Sequence, residues 1–121
     1  MVKSPAQLRE ELRGLQQAFL AQLPDRVGAI ETALDEALVA GANDRERLDA
    51  LFHLAHRLCG SAGIYGYPAV HDAAGALERM AEGLRDAGGQ NDPRQGAELR
   101  PLVEALKQAA EDARTKPASA E

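Results

Sequence analysis

Apolar residues recur through the first third of the chain at Leu8, Leu12, Leu15, Phe19, Leu23, Val27, Ile30, Leu34 and Leu38, in steps of three and four. That spacing keeps them on one side of an α-helix and predicts a single buried stripe. Ser4, Pro5 and Gln7 supply an opening signal: a capping box, with a proline in the first turn where its missing N–H costs nothing. Gly41 supplies a closing one. A straight helix over this stretch would be roughly 50 Å long at about 1.5 Å per residue, roughly twice the length of any later helix. Part of it must overhang or bend. Gly14 weakens a helix interior, and Pro24 removes a backbone hydrogen bond and crowds the preceding turn. The expectation is a short helix over residues 4–13 and a longer one over 15–40, kinked at Pro24.

The remaining apolar faces are as regular. Asn43 and Glu46 form a second capping box, and Leu48, Leu51, Phe52, Ala55, Leu58 and Ala62 predict a helix to about residue 62. Gly60, Gly63 and Gly66 are read as its fraying end and a loop. Pro68 restarts the chain, and Val70, Ala73, Ala74, Leu77, Met80, Ala81 and Leu84 line one face until Gly88 and Gly89. Asp92 and Pro93 open the last helix, with Pro101 marking a possible later start and Leu99, Leu102, Val103, Leu106, Ala110 and Ala113 as its face. No strand pattern or internal repeat is present. Long amphipathic helices joined by short links predict an all-α fold, an antiparallel four-helix bundle with a short additional N-terminal helix. One domain is expected over residues 1–114, with residues 115–121 a disordered tail that lacks a large apolar anchor.

Composition narrows the function classes. The chain of 121 residues is 45% hydrophobic but only 3% aromatic, so Leu, Ala, Val and Ile must build the core. A net charge of −5 argues against broad nucleic-acid binding, which depends on Lys and Arg at phosphates. The single cysteine, Cys59, permits no internal disulfide and fits a reducing compartment. There is no apolar run of membrane-spanning length, nor the apolar core of a signal peptide near the start. A cytoplasmic protein is expected, with no membrane and no nucleic-acid partner.

The chemistry concentrates in residues 51–66, LFHLAHRLCGSAGIYG, where an apolar helical run carries His53 and His56 and ends among glycines. At about 100° per residue, His56 projects roughly 105° from the centre of the apolar face, Gly60 roughly 145° and His53 roughly 165°. His56 therefore sits on the flank and His53 on the outer face. Gly60 has two readings that stay open: clearance for something approaching the backbone beside His56, or the beginning of the helix end. A reachable imidazole serves as a proton carrier, a metal ligand or a nucleophile. No G-x-S-x-G elbow, P-loop or HExxH is present, which disfavours a conventional hydrolase. His53 and His56, with Asp49 in support, supply only two firm ligands where a structural zinc site takes about four. Without further context, a helical histidine is simply a solvated surface residue.

The further context is a resemblance. His56-Arg57-Leu58-Cys59-Gly60-Ser61-Ala62-Gly63, followed by Gly66 and then by Ala73, Ala74, Leu77 and Glu78, resembles the signature of histidine-containing phosphotransfer (HPt) domains of bacterial multistep phosphorelays. That pattern reads roughly H-x-L-K-G-S-[SA]-x-x-x-G, with a-x-x-L-E on the next helix, and the likeness extends over about residues 15–110. It implies that His56 is the phosphorylated residue, that Gly60 leaves room for a receiver domain's active site, and that Ser61 helps orient the imidazole. It also implies receiver domains and a sensor or hybrid histidine kinase as partners, with no cofactor of the chain's own and magnesium on the receiver.

One departure stands out. The family usually has lysine where this chain has Cys59, and a lysine there would offset the charge of a phosphoryl group. Arg57 is adjacent but points roughly 100° away. Cys59 is expected to be half-buried, His53 a solvent-facing neighbour that tunes the local charge, and His71 a surface residue. Tyr65 and Tyr67 either border a docking surface or pack on the bundle end. The expected role is a phosphocarrier rather than an enzyme, taking its phosphoryl group from elsewhere since no ATP-binding segment is visible. The rivals are a non-phosphorylated adaptor that binds a receiver or kinase, made credible by Cys59, and a metal-binding bundle through His53 and His56.

Overall fold

In the computed structural model, described for residues 2–40, 44–87 and 93–115, the helices are α1 (Pro5–Ala40), α2 (Arg45–Tyr65), α3 (Pro68–Asp86), α4 (Pro93–Ala97) and α5 (Leu99–Thr115). The described residues contain no strand. The four long helices form a ring in which α1 packs on α2, α2 on α3, α3 on α5 and α5 on α1, while the single turn of α4 leans on α5 and α1. Leu23, Ile30 and Leu34 of α1, Leu48, Leu51 and Leu58 of α2, Val70 and Leu77 of α3, and Leu99, Val103 and Leu106 of α5 are fully buried along its axis. These are the residues that the three-and-four spacing places on the inner faces. They bury apolar surface at about 25 cal/mol per Å².

The expected break near the amino end is absent: α1 runs unbroken for 36 residues through Gly14 and Pro24, so the short additional N-terminal helix does not exist as a separate element. Ser4 and Gln7 cap it reciprocally, the Ser4 N–H donating to Gln7 Oε1 at 2.8 Å and the Gln7 N–H to Ser4 Oγ at 3.2 Å. Pro24 is exposed, so the carbonyl it leaves unpaired lies within reach of water, while Phe19, Leu23, Val27 and Ile30 on the opposite side are buried. Burying four large side chains, at about 1.5–3 kcal/mol each, outweighs a proline penalty of roughly 3 kcal/mol. The length is absorbed by overhang instead, for Leu8 and Leu15 remain 52% and 51% exposed.

Two other boundaries shift. The N-cap of α2 is Asp44, whose carboxylate accepts from the Arg47 N–H at 3.1 Å; Asn43, like Gly41, Gly88, Gly89 and Asp92, lies outside the described residues. Pro93 heads only the single turn of α4, and α5 starts at Leu99 with Pro101 in its first turn, the later of the two starts that the sequence allows. Thr115 still belongs to α5 and donates from Oγ1 to the Asp112 carbonyl, and the rest of the expected tail is not described.

Only Gly66 and Tyr67 link α2 to α3. Gly66 adopts φ 86° and ψ 39°, a left-handed conformation that suits glycine, and the Ala62 carbonyl accepts from the N–H groups of both Gly66 and Tyr67. Tyr67 stacks on Phe19 at 5.3 Å between ring centroids, Tyr65 meets the same ring at 5.6 Å, and Gln16 of α1 donates to the Tyr65 carbonyl at 2.7 Å. Of the two readings of the tyrosines, packing on the bundle end is the one observed.

Replacing Pro24 by alanine restores a backbone donor at an exposed position and should stabilise the chain by about 1–3 kcal/mol in urea unfolding. Destabilisation would mean that the proline shape is itself needed in α1.

Candidate functional site

His56 lies in the middle of α2, with its side chain 62% exposed. Two contacts hold the ring. One turn earlier, Phe52 stacks against it at 5.7 Å and an interplanar angle of 14°. Across the seam, Glu78 of α3 places Oε2 at 3.1 Å from Nδ1. An ionised carboxylate only accepts hydrogen bonds, so Nδ1 is the donor in this contact, and a neutral ring held this way has its lone pair on Nε2. The imidazole is thus presented to solvent in an orientation held from two sides.

A second network flanks this pair. The Arg85 guanidinium lies over the Phe52 ring at 4.4 Å. It donates to Asp86 at 2.9 Å and to Asp49 at 2.8 Å, with Glu82 at 3.9 Å, and its side chain is only 16% exposed. The hydrogen bond from Arg85 holds the Asp86 carboxyl below its ordinary value. His53 stands 57% exposed, sets Nε2 at 3.3 Å from Asp49 and meets the edge of Phe52. It is a solvent-facing neighbour, as expected, but its partner is Asp49 and not the carboxylate that holds His56. Among the described residues, no group of three His, Cys, Asp or Glu side chains comes together to hold a metal ion.

The glycines separate by role. Gly60 is inside α2, which continues to Tyr65, so it does not begin the helix end; the space its side chain would occupy is open, one turn beyond His56. Gly63 is also interior. A β-carbon there would stand 3.1 Å from His71 Nδ1, and glycine lets that ring close on α2. His71 is exposed, as expected, yet not solitary: its Nδ1 donates to the Cys59 carbonyl at 2.9 Å and lies 3.4 Å from Cys59 Sγ.

Ser61 is half-buried and makes no hydrogen bond to His56; the orienting group comes from α3 instead. Arg57 is exposed and has no ion pair among the described residues. Glu78 is the residue that sequence reasoning left out of the site, although it stands in the Leu77-Glu78 pair of the motif. Finding it required the alignment of α3 against α2.

Cys59 is half-buried beside Gly75. Burial foremost, then the charge of Glu78, with Arg79 opposing and Asp72 adding a smaller push, raises its thiol above the ordinary value. The thiolate is the reactive form, so a raised value means less of it at any given pH. Iodoacetamide should therefore alkylate native Cys59 more slowly than the urea-unfolded chain at pH 8, with the native rate rising at a higher pH. Equal profiles would contradict this placement.

A family model of the Hpt domain matches residues 14–109, most of the chain. No curated protein and no solved structure matches it. The match covers α2, α3 and most of α1 and α5, with the whole α2–α3 seam, and the observed bundle is the fold that the resemblance implies. The chain belongs to the Hpt domain family, and its general role is phosphotransfer.

Proposed function

We propose that His56 is the phosphoacceptor of a multistep phosphorelay, taking a phosphoryl group from a receiver-domain aspartate or a hybrid kinase and passing it to another response regulator. The observation that carries the reading is the Glu78 contact with Nδ1 of an exposed ring, which in the neutral imidazole puts the lone pair on Nε2, facing away from the carboxylate. In the forward step the Nε2 lone pair forms the N–P bond, the bond from phosphorus to the aspartyl oxygen breaks, and the aspartate leaves with the electron pair. Nδ1 keeps its proton, and Glu78 offsets the positive charge that the phosphorylated ring acquires. In the reverse step a receiver carboxylate attacks phosphorus and the electron pair returns to Nε2. In-line transfer of this kind depends on positioning and charge neutralisation.

The receiver supplies the magnesium and the acidic cluster; this chain supplies the nucleophile and needs no cofactor of its own. The open space at Gly60 gives a receiver's active site access beside the ring. The reading places the chain in the cytoplasm with its kinase and regulators. One feature favours a second reading, an adaptor that binds a receiver without accepting phosphate: Cys59 stands where the family usually carries lysine.

Incubation with a phosphorylated receiver separates the two. Wild type should take up acid-labile, base-stable label, His56→Gln none, and His53→Gln as much as wild type. A wild-type chain that binds receivers but never labels would establish the adaptor, and a labelled His56→Gln would place the acceptor elsewhere. Glu78→Ala should slow labelling by about threefold to tenfold, the loss expected of one partly exposed hydrogen bond to a charged group.

A further inference from the structure

A phosphoryl group on Nε2 would bring a charge of about −1.5 to −2 to a ring already paired with a carboxylate. The helix position one turn further along α2 holds Cys59, so a cation from this chain would have to come from another position. Arg85 is committed to Asp86, Asp49 and Glu82 and is mostly buried. Arg57 departs from the His56 direction by roughly 100°.

Arg79 is different. It follows Glu78 on α3, is exposed, and makes no ion pair among the described residues. Its side chain folds back one turn over Gly75, so that Nη1 lies 3.3 Å from where a Gly75 β-carbon would stand, with Cys59 Sγ 3.5 Å from the same point. Guanidinium and thiol thus border one notch, opened by the absence of a side chain at residue 75. The notch lies at the seam one turn along α2 from His56. Side chains in a helix lean toward its N-terminus, which in α3 is the direction from residue 79 to residue 75. The thiol registers the nearby charge, since Arg79 opposes the rise in its ionisation.

We infer that Arg79, reaching across from α3 into the notch at Gly75 and Cys59, is the cation that stabilises phosphohistidine in this chain, in place of a lysine on α2. The inference rests on His56 as carrier. A guanidinium can give a phosphoryl group two parallel N–H donors, where an ammonium acts as a point charge.

The test uses phosphoramidate, which labels histidine without a receiver: Nε2 forms the N–P bond, the donor's P–N bond breaks, and ammonia leaves with a proton from water. The half-life of the label on the full chain is then measured at neutral pH. Arg79→Gln should shorten it threefold or more, Arg79→Lys should hold it within twofold of wild type, and Arg57→Gln should leave it unchanged. Adding Cys59→Lys to Arg79→Gln should restore it. Since Arg79 is exposed, the melting temperature of each variant checks that the fold is intact. An Arg79→Gln half-life equal to wild type, or a loss that follows Arg57 instead, overturns the assignment and leaves the carrier reading standing. A wild-type chain whose His56 takes no label fails both.

Discussion

The turn at Gly66 and Tyr67 sets everything at the site. With only these two residues between the helices, α2 and α3 must run antiparallel in a fixed register, and their facing pairs are mirror positions about residue 67. Gly63 meets His71, Cys59 meets Gly75, His56 meets Glu78 and Asp49 meets Arg85. A slip of one residue would rotate each partner by about 100° and separate all four pairs. The left-handed glycine and the doubly accepting Ala62 carbonyl make that register a local property of the chain. The buried Ala55 and Ala62 on one side and Ala74, Gly75 and Ala81 on the other then let the two helices close on one another.

An exposed imidazole would ordinarily sample several rotamers. Here Phe52 supplies a flat wall, Glu78 a fixed acceptor, and Arg85 pins Phe52 in turn while tying α3 to Asp49. Orientation is thus obtained at the surface from a chain of contacts that ends in a guanidinium largely shielded from solvent. The same chain of contacts reaches His53, which meets the edge of Phe52 and pairs with Asp49 on its own helix, so the two histidines differ in their carboxylate partners.

How far the site was legible in the sequence follows from which interactions are local. The apolar faces from Phe19 onward, the His56 flank position and the exposure of His53 depend only on helical periodicity and appear where the spacing puts them, whereas Leu8 and Leu15, read as part of the same buried stripe, are exposed on the overhanging first turns of α1. The Ser4 and Gln7 cap is also local and also present. Interactions between helices were not legible in the same way. Gly63 reads as a helix end until His71 is seen to need the space, and Ser61 reads as the orienting group until Glu78 is seen to reach the ring. Pro24 misleads for a related reason: its penalty is local and visible, whereas the burial that outweighs it is contributed by three other helices. The family resemblance supplied what periodicity could not, a reason to single out His56 rather than His53, but it carried an expectation about lysine that this chain does not meet.

The combination of Glu78 and Cys59 has a consequence for how long a phosphoryl group would stay. On the proposed reading, the carboxylate that offsets the charge of a phosphorylated ring would also repel the oxygens of the phosphoryl group itself. A lysine on α2 would offset this from the same helix as the histidine, rigidly and at all times. If Arg79 takes that role, the offset comes instead from α3, through the side chain of an exposed residue that lies over Gly75. Differential stabilisation of one state is the only way a contact can shift the balance between free and phosphorylated forms. With such a cation on α3, displacing a single guanidinium would alter that balance without disturbing the α2–α3 register that holds Glu78 against His56.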